Sequence, residues 1–196
     1  KNMADLRKAV VENKAALGIG YDGDADRIGV VDDQGKLLYG DELLMIFARD
    51  MLSRIKGGKV IFDVKCSSNL PEYIKRFGGV PIMSATGHSI IKQRLQDENA
   101  ELAGEMSAHI FFAEDYYGYD DAIYATARII QIAGRTDKPV SRFLEDVPKT
   151  YSTPEIRIDC PVLRFEAKSE EELAKYRKEV YEKLITFAPL ADLKPV

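Results

Sequence analysis

The apolar positions of this chain change period several times, and each change marks a new element. Met3, Leu6, Ala9, Val10 and Ala16 recur at helical spacing and predict a helix over 3–16. Short apolar runs of strand type follow at 17–21 and 28–31, flanking a polar stretch that holds three aspartates. Asp32-Asp33-Gln34-Gly35 signals a turn, and 37–39 returns as a short strand. Asp41 reads as the N-cap of a helix running to about Ile55, with Leu44, Phe47 and Met51 on its buried face.

Gly57-Gly58 marks a candidate domain boundary, because strands and helices alternate beyond it. Strands are predicted at 60–64, 80–84, 102–103 and 109–112, and helices at 69–77 and 88–97. A further helix, capped by Asp120 or Asp121, runs to 132, and another covers 140–147. Such alternation predicts an α/β fold built on parallel or mixed sheets with helices on both faces. Residues 154–160 and 162–167 both read as strands, yet only Pro161 separates them, and proline cannot donate to a central ladder. Either one edge strand is kinked at Pro161, or a segment is missing near residues 161–162. Leu173, Tyr176, Val180 and Leu184 predict an amphipathic helix over 170–186. The expected units are therefore 1–57, 58–150 and 151–196.

Composition narrows the class. With 196 residues, 45% hydrophobic and 31% charged, the chain has ordinary globular usage and ample material for a core. A net charge of −4 argues against a general nucleic-acid partner, whose footprint is basic. No apolar run approaches the roughly 20 residues of a membrane span, and the first residues lack a signal-peptide core. Cys66 and Cys160 are too few for a disulfide framework, so a cytoplasmic location is expected. The first residue is Lys, which suggests a chain that begins inside a longer protein.

The polar stretch between the first two strands carries the strongest chemistry. Asp22, Asp24 and Asp26 place three negative charges in five residues, with Arg27 directly after. That crowding is repulsive unless a cation takes up the charge, and oxygen-only ligands suit Mg²⁺. An EF-hand would need Gly at loop position six and Glu at position twelve, where this chain has Arg27 and Asp33. A haloacid-dehalogenase-type phosphatase, with Asp22 as nucleophile, is an alternative reading of the same loop. Gly104-Glu105-Met106-Ser107-Ala108-His109 is a second constellation, able to bond sugar hydroxyls and, at His109, to move a proton. Thr86-Gly87-His88-Ser89 lies at a strand-to-helix turn, where an anion could bind or where Thr86 or Ser89 could cap the helix. Lys65 follows the 60–64 strand at the end where open α/β sheets place ligands, and Cys66 beside it reads as a small buried residue.

Together, Asp22-Gly-Asp-Ala-Asp-Arg27, Asp63-Val-Lys65, Thr86-Gly-His-Ser89 and Gly104-Glu-Met-Ser107 with His109 resemble the α-D-phosphohexomutase family, in its bacterial phosphomannomutase/phosphoglucomutase branch. The motifs stand in the family's order over most of residues 1–160. The resemblance implies α/β/α domains and an enzyme that interconverts hexose 6-phosphate and hexose 1-phosphate through a hexose 1,6-bisphosphate. It implies Mg²⁺ held by Asp22, Asp24 and Asp26, with Arg27 beside the transferring phosphate and His109 assisting proton transfer. Lys65, His88, Glu105 and Ser107 would bind substrate. Met106 in the sugar loop implies glucose and mannose phosphates rather than glucosamine phosphate.

Three departures qualify that picture. The family's phosphoserine loop, of Thr-x-Ser-His-Asn-Pro type, has no counterpart in this sequence, so the chain alone is expected to be inactive and to need missing domains of the same protein. The family's C-terminal phosphate loop also has no counterpart; in the family it lies between sequences like 159–161 and 163–166, which again suggests a gap near 161–162. Finally, Ala108 stands where the family usually has Gly. A non-catalytic sugar-phosphate binder that kept these motifs is the reading from a different class.

Overall fold

The computed structural model describes residues 3–152, 156–158, 160–163 and 165–184. The chain divides into two compact units, residues 1–147 and 148–196. In the first, α1 (Ala4–Asn13) leads into a hairpin of β1 (Leu17–Tyr21) and β2 (Ile28–Asp32). The hairpin register runs from Leu17↔Asp32 to Tyr21↔Ile28, and β3 (Leu37–Leu38) adds to the far edge of β2. The three aspartates therefore occupy the hairpin's loop.

Helix α2 (Gly40–Arg54) starts two residues earlier than the pattern predicts. Asp41 is not its cap. The cap position is Tyr39, whose N–H donates to Glu42 at 2.9 Å, while the buried Asp41 carboxylate accepts from Ser67 N at 2.9 Å. Its other oxygen accepts Glu42 N–H at 2.9 Å, so the carboxylate is shared between the helix start and a tertiary partner.

A second sheet follows, built from β4 (Lys59–Asp63), β5 (Val80–Ser84), β6 (Leu102–Gly104) and β7 (Ile110–Phe112). Its order is β5-β4-β6-β7, with β7 antiparallel and the other pairs parallel. α3 (Asn69–Arg76) and α4 (His88–Asp97) supply the crossovers, and α5 (Ala122–Gly134) follows β7. The strands' two-residue period divides the core between the faces. Val60, Phe62, Leu102, Ile110 and Phe112 join α2, α3 and α5 on one side, whereas Ile61, Ala103 and Phe111 meet Ile91 and Leu95 of α4 on the other. This is the mixed sheet with helices on both faces that the alternating pattern predicts.

The segment 140–147 departs from its predicted helix. Only Val140–Arg142 forms a single 3-10 turn, after Pro139. Val140 and Phe143 both enter the core, and a spacing of three is what one 3-10 turn presents to one side.

In the second unit, β8 (Tyr151–Ser152) pairs with β11 (Glu166–Ala167), and α6 (Glu170–Leu184) follows. β9 (Ile156–Ile158) and β10 (Cys160–Leu163) are antiparallel, so the chain reverses between them and the single kinked strand is not formed. Pro161 lies within β10, which among the described residues pairs with β9 alone. Residues 154–155, 159, 164 and 185–186, which the pattern assigns to strands or to the last helix, lie outside the described residues. Among the described residues no helix is long and apolar enough to cross a membrane.

Candidate active site

The aspartate loop is closed by Arg27. Its backbone N–H donates to Asp22 Oδ1 at 3.2 Å and its Nε to Asp22 Oδ2 at 2.6 Å, so both oxygens of Asp22 are engaged. Burial pushes the Asp22 carboxyl up, but these bonds outweigh it and hold the group below the usual carboxylate range. Asp26 is pushed the other way, by burial and then by the neighbouring carboxylate of Asp22. Asp22, Asp24 and Asp26 each offer an oxygen within 4.8 Å of the others. Asp26 Oδ1 is buried and accepts no hydrogen bond. An all-oxygen donor set, charge-crowded and with one buried carboxylate oxygen that accepts no hydrogen bond, fits a hard divalent cation.

The second loop joins β6 to β7. Glu105 is 2% exposed, and its Oε1 accepts Gly87 N–H at 2.6 Å. Its Oε2 lies 2.8 Å from His109 Nδ1, which Ser107 Oγ also meets at 3.0 Å. The bond to Glu105 is the main cause holding the His109 imidazole above its ordinary value, against the opposing effect of burial. Burial raises Glu105, but the bonds from His109 and Gly87 outweigh it and lower the group. Gly40 allows the loop to lie on the start of α2, because a Cβ there would collide with the Glu105 carbonyl oxygen and come within 2.8 Å of Ala108 N.

The two loops meet. Arg27 and His109 form an isolated antiparallel bridge, and Ile28 N donates to Ala108 O at 3.2 Å. His109 Nε2 lies 3.2 Å from Asp26 Oδ2, so one imidazole spans from the sugar loop to the aspartate loop. The His88 ring stacks 5.8 Å from that of His109. Asp22, Asp24, Asp26, Arg27, His88, Glu105, Ser107 and His109 are thus brought together. Lys65 is placed on the turn after β4, half-buried.

Neither Thr86 nor Ser89 caps α4. Gly87, at φ 135°, holds the cap position, and the Thr86 hydroxyl donates to Asp63 at 2.9 Å. Sequence analysis gave no site role to Asp63, quoted only within a family motif, or to Asp120, offered only as a helix cap. Asp120 offers an oxygen within 4.8 Å of Asp26 and His109. Its signal was faint, one of two adjacent aspartates before a helix. Asp63 left a clearer trace, an acidic residue closing an apolar strand run.

An α/β fold in which a carboxylate–arginine loop faces a Glu–Ser–His loop defines the class: it sets oxygen ligands, a permanent cation and hydroxyl-bonding groups side by side. Residues 39–151 match the family described as phosphoglucomutase/phosphomannomutase, alpha/beta/alpha domain III. The chain belongs to that family. A phosphoglucomutase of Neisseria meningitidis serogroup A is 48% identical over 161 residues, 82% of this chain and 35% of that protein. A phosphoglucomutase/phosphomannomutase family protein of Burkholderia thailandensis shares the fold with a TM-score of 0.89 at 33% identity, covering 100% of this chain and 52% of that one. An N-acetylphosphoglucosamine mutase of Aspergillus fumigatus, solved in complex with GlcNAc-6P and magnesium, has a TM-score of 0.56 at 16% identity, covering 71% and 37%. The chain spans about a third of the length of the curated relatives it matches.

Proposed function

We propose that this chain is the metal-binding and sugar-binding part of a phosphohexomutase that interconverts hexose 6-phosphate and hexose 1-phosphate. Residues 1–57 would end its second domain, 58–150 form its third, and 151–196 belong to its fourth, with a segment absent near 161–162. The observation that carries the reading is the His109 imidazole, bonded to Glu105 on one side and to Asp26 on the other. That bridge sets the sugar contacts one side chain away from the cation site.

Asp22, Asp24 and Asp26 would hold Mg²⁺, which supplies charge neutralisation at the phosphoryl oxygens when bound. The magnesium of the Aspergillus complex supports that choice. Arg27, oriented by Asp22, presents a planar, permanent charge to phosphate. Glu105 and Ser107 accept and donate to sugar hydroxyls, while Lys65 and His88 line the same strand ends. His109 assists proton transfer, its imidazolium held between the Glu105 carboxylate at Nδ1 and the Asp26 carboxylate at Nε2. The hexose 1,6-bisphosphate intermediate is bound by these same groups, and the phosphoserine comes from a further domain of the same cytoplasmic protein. In the phosphatase alternative Asp22 would be the nucleophile, so covalent modification at Asp22 distinguishes the two readings.

The test uses ³¹P NMR of the chain with glucose 1-phosphate, glucose 1,6-bisphosphate and Mg²⁺. No glucose 6-phosphate is expected from the chain alone, and rapid conversion is expected from a polypeptide extended through the phosphoserine domain. In that longer protein, His109→Ala should lower kcat by about 10²-fold or more. Conversion by the chain alone, or release of inorganic phosphate with Asp22 modified, would overturn the reading.

A further inference from the structure

β4, β5 and β6 are parallel neighbours, with Asp63 opposite Ser84 and Phe62 opposite Gly104. The chain therefore leaves all three strands at one edge of the sheet. Lys65 lies on the turn after β4, His88 on the turn after β5, and Glu105, Ser107 and His109 on the loop after β6.

One carboxylate touches all three turns. Asp63 is 1% exposed at the end of β4. Its Oδ1 accepts the Met106 backbone N–H at 3.1 Å and the Cys66 S–H at 3.0 Å. Its Oδ2 accepts the Thr86 hydroxyl at 2.9 Å. Burial, and then the Asp63 charge, push the Cys66 thiol up, so it stays protonated and remains a donor. Every group facing Asp63 in these contacts is a donor, and a buried acceptor with matched donors on three separate turns fixes their relative positions.

We propose that Asp63 is a positioning residue that sets the Lys65, His88 and Glu105–His109 turns in register for a sugar phosphate. It touches none of the ligand itself. The inference rests on the proposed function for the identity of that ligand, but the positioning itself is independent of it. Asparagine can replace the carboxylate's hydrogen bonds: its carbonyl serves Met106 and Cys66, and its amide can donate to Thr86, whose hydroxyl also accepts. Alanine cannot.

The experiment compares Asp63→Ala and Asp63→Asn with the wild-type 196-residue chain by amide hydrogen exchange and by NMR titration with glucose 1-phosphate. In Asp63→Ala, exchange at Met106, Ser107 and Gly87 should rise on the order of 10- to 100-fold, with Val60 and Ile61 unchanged. Glucose 1-phosphate should bind about 10- to 100-fold more weakly. Asp63→Asn should restore both to within about threefold of wild type. Thr86→Val removes a single bond and, should Asp63→Ala fail to fold, is expected to weaken binding several-fold with Met106 still protected. Unchanged loop exchange in Asp63→Ala, exchange raised equally in the strand amides, or an Asp63→Asn variant as impaired as Asp63→Ala overturns the positioning role. Wild-type affinity in Thr86→Val does the same. Absence of glucose 1-phosphate binding by the wild-type chain instead overturns the proposed function and the ligand half of this inference, while the exchange pattern still decides the rest.

Discussion

Ala108 has φ 70°, in the left-handed region, between two residues that line the candidate site. Its Cβ costs on the order of 1 kcal/mol there relative to glycine. The backbone tolerates it because both of its polar groups are tied, N–H to Glu105 O at 2.9 Å and carbonyl to Ile28 N at 3.2 Å. Ala108→Gly is therefore expected to raise the unfolding free energy by about 1 kcal/mol in urea titrations, with an unchanged slope. A loss of stability would show that the loop gains more from a stiff residue than it loses to strain. The identity of the residue was readable from the sequence, and its departure from the family pattern marked the position. The sign of φ was not readable, because it is imposed by the bridge between Arg27 and His109.

Helix α5 shows how a single end residue serves an element. Asp121 accepts the Ile123 and Tyr124 N–H groups at 2.9 Å each and the Tyr116 hydroxyl at 2.6 Å. Burial raises its carboxyl, but these three bonds outweigh it and hold it below the usual range. A group depressed in the folded state binds its proton more readily when unfolded. Its stabilisation is thus complete above the unfolded value of about 3.9 and is lost as pH falls through the lower folded value. Asp121→Ala is expected to cost about 1 kcal/mol at pH 7, with the gap to wild type closing as acid unfolding is followed below pH 4. A gap that stays constant with pH would assign the loss to packing. The sequence offered Asp120 or Asp121 as the cap, and only the structure separates them: Asp121 turns toward the helix, while Asp120 turns toward Asp26 and His109. At α2 the same reasoning chose Asp41 wrongly: the helix starts at Gly40, and that carboxylate is shared with a partner 26 residues away.

For the chain as a whole, three carboxylates hold only part of a coordination sphere. On the proposed function the remaining ligand comes from another domain, so calorimetry of this chain should find Mg²⁺ dissociation constants of about 1 mM or weaker. Tight binding would mean that the chain completes the site itself. The sequence alone determined most of the elements up to α5, the α/β class and the chemistry of each motif, because helical and strand periods and the crowding of Asp22, Asp24 and Asp26 are carried by residues a few positions apart. Tertiary structure decided how those motifs combine. Parallel pairing of β4 with β5 and β6 carries Asp63 to Thr86 and Met106 across 23 and 43 residues, and the Arg27–His109 bridge carries Asp26 to His109 across 83. Those distances along the chain are closed only by strand register and core packing, which no local spacing encodes.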